Sequence, residues 1–195
     1  MSTFFKKYYN DIVSISKDID KDNLHKLVAS LSKIKKKKSR IFFLGVGGSA
    51  GNCAHAVNDF RKLCEIECYA PTDNVAELTA RINDDGWNSS FANWLKVSNL
   101  KKNDAIFVLS VGGGDIKKNI SLNLVEAIRF AKKKGAKIFG IVGRKESYLY
   151  KNGDNVIFVP IVNKKMMTAY SEAFQAVIWH SIVMHPQLQS VKTKW

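Results

Sequence analysis

From Arg40 onward the chain repeats one pattern, a short apolar run closed by a glycine or polar turn and followed by a longer helical stretch, and this limits the possible folds severely. Residues 41–44, 105–109, 138–142 and 156–159 are apolar on both faces, as strands of a parallel sheet covered on both sides must be. Residues 66–70 form a weaker fifth run. Helical spacing of apolar residues recurs over 50–63, 88–97, 116–134 and 169–184. Such alternation predicts an α/β fold, a doubly wound and mostly parallel five-stranded sheet that binds ligands at the carboxyl ends of its strands. Ahead of it, Phe5, Tyr8, Ile12, Ile15 and Ile19, then Leu24, Leu27, Val28, Leu31 and Ile34, recur every three or four residues. They predict two amphipathic helices broken near Asp20-Lys21-Asp22. The 195 residues are thus expected to form a single domain, with a helical extension over 1–38 and an α/β core over 40–195.

No apolar run reaches the roughly 20 residues of a membrane-spanning helix, and residues 1–10 lack the apolar block of a signal peptide. A cytoplasmic protein with no membrane partner is expected. The formal net charge is +14. Much of it lies in Lys35 to Lys38 and Lys132 to Lys134, at predicted helix ends where cations complement the helix dipole. The four tryptophans show no stacking-platform spacing beside a basic stripe, so nucleic-acid binding is not expected. Cys53, Cys64 and Cys68 fit neither a disulfide framework nor a zinc finger and read as free thiols, Cys53 as buried filler.

Two strand ends stand out. Residues 41–44 run into Gly45-Val46-Gly47-Gly48-Ser49, and 105–109 into Ser110-Val111-Gly112-Gly113-Gly114-Asp115. Between a strand and a helix start, such glycines let backbone amides converge on an anion with no β-carbon in the way. A single turn of this kind can serve geometry alone. Two at matching topological positions point to a ligand. The dinucleotide pattern GxGxxG is not met, since Ala50 replaces its third glycine, and no Gly-Lys-Ser/Thr marks a P-loop. A small phosphorylated or polyhydroxylated ligand remains.

His55 and Asp59, four residues apart, share a face of the helix after the first turn. Glu172 and His180 lie about 80° apart around the last helix and about 12 Å along its axis. Each has a plain structural alternative. His55 can pack between helix and sheet, and Glu172 can be an exposed acid favoured by the helix dipole. His180 stands in an apolar stretch, where a buried imidazole needs a partner. His25 and His185 read as surface residues, as does Gln175 unless it takes the place of Glu172.

Together these residues resemble the phosphoheptose isomerases (sedoheptulose 7-phosphate isomerases) of the sugar isomerase (SIS) superfamily. In that family a strand ends in GNGGS, and the following helix bears a histidine and, four residues on, a carboxylate. A serine- and threonine-rich second turn, an asparagine-aspartate pair and a late helix with a histidine eight residues after a glutamine or glutamate complete the pattern. The matches here are Gly45 to Ser49, His55 and Asp59, Ser110 to Asp115, Asn83-Asp84, and Glu172 with His180. The resemblance implies a SIS, flavodoxin-like fold whose N-terminal helices pack into a homotetramer. It implies conversion of a ketose phosphate, sedoheptulose 7-phosphate, to an aldose that feeds lipopolysaccharide or capsule synthesis. It also implies proton transfer by Asp59 and His180, and a zinc ion held in some members by the positions of His55, Asp59, Glu172 and His180. Substrate contacts are implied for Val46, Gly47, Gly48, Ser49, Asn52, Asp84, Ser110, Gly112, Gly113, Asp115 and Glu172.

Departures from the family are specific. Val46 replaces the asparagine of the first turn, and Asp59 a longer glutamate. Val111, Gly112 and Asp115 stand where the family has the threonine and serines that hold the substrate phosphate. A non-catalytic SIS module that senses a sugar phosphate, or an isomerase of another sugar, stays open on the sequence alone.

Overall fold

The computed structural model describes residues 2–194, all but the first and last residues of the chain. Five parallel strands, β1 (Ile41–Leu44), β2 (Cys68–Tyr69), β3 (Ala105–Ser110), β4 (Lys137–Val142) and β5 (Asn155–Phe158), form one sheet in the order β2-β1-β3-β4-β5. Every residue of β1 and β3 is buried, as their uninterrupted apolar runs require. The register aligns Leu44 with Val108 and Ser110 with Val142, which brings the carboxyl ends of β1, β3 and β4 to one edge.

Helices cover both faces. α1 (Ser2–Asp18), α2 (Lys21–Lys36), α3 (Gly48–Cys64) and α8 (Met167–Val183) pack on one side around Phe43, Phe60, Phe107 and Trp179. α5 (Ser90–Val97), α6 (Leu122–Lys134) and α7 (Tyr148–Asn152) pack on the other around Phe42, Phe91, Trp94 and Ile128. α4 (Val75–Asp85) buries none of its residues.

The break between α1 and α2 falls where the sequence places it, at Asp20, whose carboxylate caps α2 by accepting from the Asn23 amide at 2.9 Å. The lysine runs do close helices. Lys33, Lys35 and Lys36 stand in the last turn of α2, and Lys132 to Lys134 in that of α6, which stops at left-handed Gly135. The Tyr170 hydroxyl donates to Asp11 Oδ2 at 2.8 Å, joining α1 to α8. Burial, then the Asp11 bond, holds the Tyr170 phenol up at about 12, and the same bond holds Asp11 below its ordinary value. Phe5, Tyr9 and Val13 on the outer face of α1 remain more than half exposed.

Three sequence expectations need correction. The helix expected from residue 116 begins at Leu122, because residues 115–120 fold back on themselves through paired Asp115 and Ile120 backbone bonds of 3.0 Å. The weak strand at 66–70 shortens to Cys68–Tyr69. α4 was not foreseen, although Val75, Leu78 and Ile82 keep helical spacing and Leu78 rests half-buried against the core.

Candidate active site between two helices

The first glycine turn launches α3. Gly47, at φ 62° and ψ −129°, makes a bend that residues with a β-carbon rarely adopt, and its carbonyl accepts from the Ala50 amide at 2.9 Å. Gly48 leaves room for another group. A β-carbon there would stand 2.5 Å from Oε2 of Glu172, so the Glu172 carboxylate lies over the amino end of α3, the position expected for a ligand anion.

Ser49 corrects the sequence reading. Its hydroxyl is turned inward, 2 % exposed, and accepts from Gln175 Nε2 at 3.0 Å. Asn52 donates at 3.0 Å both to Gln175 Oε1 and to the Glu172 carbonyl. Gln175, read from the sequence as a surface residue, is wholly buried and forms the centre of this amide latch between α3 and α8. Val46 points outward and stays exposed.

Two turns further along, the same helices bring together the reactive groups. Asp59 Oδ2 lies 3.8 Å from Nε2 of His55 and 3.8 Å from Nε2 of His180. The other carboxylate oxygen accepts from Asn58 Nδ2 at 2.8 Å, which fixes the rotation of the group. His180 Nδ1 is 2.8 Å from the Ala176 carbonyl. A carbonyl can only accept, so Nδ1 carries a proton and donates to it, and Nε2 is the nitrogen turned toward Asp59. Trp179 walls the cluster: buried, with its indole N–H unpartnered among the described residues, it stacks on His180 at 3.6 Å and meets the His55 ring edge at 4.7 Å. Nothing in the sequence marked this tryptophan beyond its place beside His180. A cavity of about 500 Å³ opens beside His55 and Asp59, bounded by Lys62 and by residues 191–194.

The four-residue convergence expected from the sequence is therefore met by three. His55, Asp59 and His180 place donor atoms within 4.8 Å of one another, whereas Glu172 is held away at Gly48. The reason is geometric: eight residues of straight helix separate Glu172 from His180 by about 12 Å. Asp84 is exposed at the end of α4, bonded to its neighbour Asn83 at 2.8 Å.

The second glycine turn is largely self-satisfied. Ser110 Oγ accepts from the Gly113 amide at 2.9 Å, and the carbonyls of Gly113 and Gly114 accept from the Leu149 and Tyr148 amides that start α7. No helix amino end faces outward from this turn, because α6 begins seven residues after Asp115. Gly112 is half-buried and Gly113 buried. Asp115 Oδ1 accepts from the Lys118 amide at 3.2 Å, and Oδ2 lies 3.8 Å from Arg144 Nη2. The thiols of Cys53, Cys64 and Cys68 are free and buried, and burial raises the pKa of all three.

Comparison with known proteins agrees with this architecture. Residues 5–143 match the family model described as the SIS domain. The phosphoheptose isomerase of Thermodesulfovibrio yellowstonii is 26% identical over 164 residues, covering 80% of this chain and 78% of that one. The structure of phosphoheptose isomerase GmhA from Neisseria gonorrhoeae superposes with a TM-score of 0.79 at 18% identity, over 93% of this chain and 94% of that one. A phosphoheptose isomerase from Francisella tularensis superposes equally well, with a TM-score of 0.79 at 17% identity over 93% of each chain. The chain belongs to the SIS domain family.

Proposed function

We propose that this protein is an aldose-ketose isomerase acting on a sugar phosphate, with the seven-carbon ketose phosphate of its relatives as the first substrate to try. The observation that carries the proposal is the Asp59 carboxylate set 3.8 Å from two imidazoles beside an open cavity. Isomerisation needs one group to carry a proton from C1 to C2 and another to carry one from O1 to O2. Asp59 takes the C1 proton, forming an enediol, exchanges it with solvent and delivers a proton to C2. His180, with Nε2 turned toward Asp59, relays the hydroxyl proton from O1 to O2. Nothing is gained or lost overall, so no redox cofactor is needed.

His55, Asp59 and His180 also fit a divalent metal: two imidazole nitrogens and one carboxylate are the usual donors of a catalytic zinc, and the Nδ1 bond to Ala176 is the outer contact that aims such a histidine. When bound there, zinc would polarise the substrate carbonyl. We further propose that the exposed aromatic face of α1 packs against another copy of the chain, giving the homo-oligomer that the resemblance implies.

The test is incubation with a panel of ketose phosphates in deuterated water, followed by proton NMR. Aldose formation with deuterium at C2 is the expected result. Ligand binding with no aldose from any member would reduce the protein to a sensor.

A further inference from the structure

The second glycine turn has lost the hydroxyls with which the family holds phosphate, and its remaining polar groups bond to one another. Positive charge gathers instead at the next strand end. Where β4 finishes, Arg144, Lys145 and Lys164 line a cavity of about 430 Å³ with Phe158, Ile161 and Met167. The carboxylates facing these cations are Glu146, in the cavity wall, and Asp115, reaching across from the second turn. Three cations thus face two acids. The contact between Arg144 and Asp115, at 3.8 Å, is longer than a hydrogen bond. Lys145 lies 4.8 Å from the centre of the Phe158 ring and forms no salt bridge among the described residues.

The cavity is joined to the candidate active site by packing. The Gly143 amide donates to the Val111 carbonyl of the second turn at 3.1 Å. On its other side, a β-carbon on Gly143 would stand 2.4 Å from Ser171 Oγ, a fully buried hydroxyl with no partner among the described residues. The next residue, Glu172, lies on Gly48 of the first turn.

Building on the isomerase reading, we infer that the substrate phosphate is gripped at the end of β4 by Arg144, with Lys145 and Lys164, and that Asp115 competes for the same guanidinium. A guanidinium matches phosphate with paired N–H donors, and a dianion displaces a carboxylate that holds it only loosely. This gives neighbouring residues opposite effects, which a purely structural ion pair would not.

The experiment is titration of the purified protein with inorganic phosphate at pH 7.5, followed by phosphorus NMR, with thermal melts of each variant. Arg144→Ala should weaken binding by on the order of tenfold or more, the loss expected for a charge-assisted hydrogen bond. Arg144→Lys should recover part of it. Asp115→Asn, which keeps an oxygen for the Lys118 amide, should tighten binding. Phosphate bound equally by wild type and Arg144→Ala, or weakening in Asp115→Asn as in Arg144→Ala, would overturn the inference. Turnover separates it from the isomerase reading. If the ketose phosphates react, KM should rise in Arg144→Ala while kcat holds. If none reacts yet phosphate binds through Arg144, the subsite stands and the isomerase assignment falls.

Discussion

The carboxylate of Glu172 occupies the space that a β-carbon on Gly48 would fill, 2.5 Å from its Oε2. The obstacle is the end of a flexible side chain, so Gly48→Ala should push Glu172 off the amino end of α3 at little cost to the fold. A melting point within a few degrees of wild type is expected, a shift of that size corresponding to about 1 kcal/mol or less. The double variant Gly48→Ala/Glu172→Ala should lose no more activity than Glu172→Ala alone. A fully additive loss would show that Glu172 and Gly48 act independently.

Asp59 and His180 are reached by solvent and contribute little to the core, so their removal should be read in rate rather than stability. Asp59→Asn and His180→Ala are each expected to lower kcat about a hundredfold or more, the usual scale of acid-base catalysis. Circular dichroism should be unchanged. Near-normal turnover in both would refute the roles assigned to them.

Zinc titration of the metal-free protein should show one ion bound per chain. His55→Ala and His180→Ala should each weaken that binding severalfold or more, whereas Glu172→Ala, whose carboxylate stands apart, should have little effect. A competition assay with a chromophoric chelator measures this without any activity readout. Equal affinity in wild type and both histidine variants would remove the metal from the site.

The bond between Tyr170 and Asp11 predicts a pH signature in the docking of α1. The phenol is raised from its ordinary 10 to about 12. Its contribution is therefore complete below pH 10 and is lost as the pH rises through about 12. Asp11 is lowered, so its share is present above its ordinary value of 3.8 and fades as the pH falls through the lower folded value. Urea melts across pH 9 to 12 should show the alkaline loss in wild type and a flatter curve in Tyr170→Phe. Parallel curves would mean the bond is not formed in solution.

Much of the fold was legible because buried parallel strands write themselves as unbroken apolar runs, as in Ile41-Phe42-Phe43-Leu44, and Asp20 marks a helix start by its own chemistry. The pairing of His55 with Asp59 followed from helical spacing, and His180 from the resemblance. Other features depend on tertiary contacts that no local pattern carries. Ser49 turns inward because Gln175, far along the chain, reaches it. Residues 116–121 have helical composition yet fold back, because Asp115 bonds Ile120 and the Lys118 amide. Asp115 stood out in the sequence as a departure from the family's serine, and only the folded chain reveals Arg144 beside it.

Between α3 and α8, the Gln175 latch to Ser49 and Asn52, the His180 approach to Asp59, and a 3.5 Å contact from Cys64 Sγ to the Val183 carbonyl follow one another down a single seam. Sliding either helix by one residue, about 1.5 Å, would misalign all three at once. The seam therefore works like a vernier scale, holding the spacing of the proton-handling groups independently of the loops around it. Residues 110–121 and 143–146 lie outside this seam, so substitutions there leave the approach of His180 to Asp59 in place.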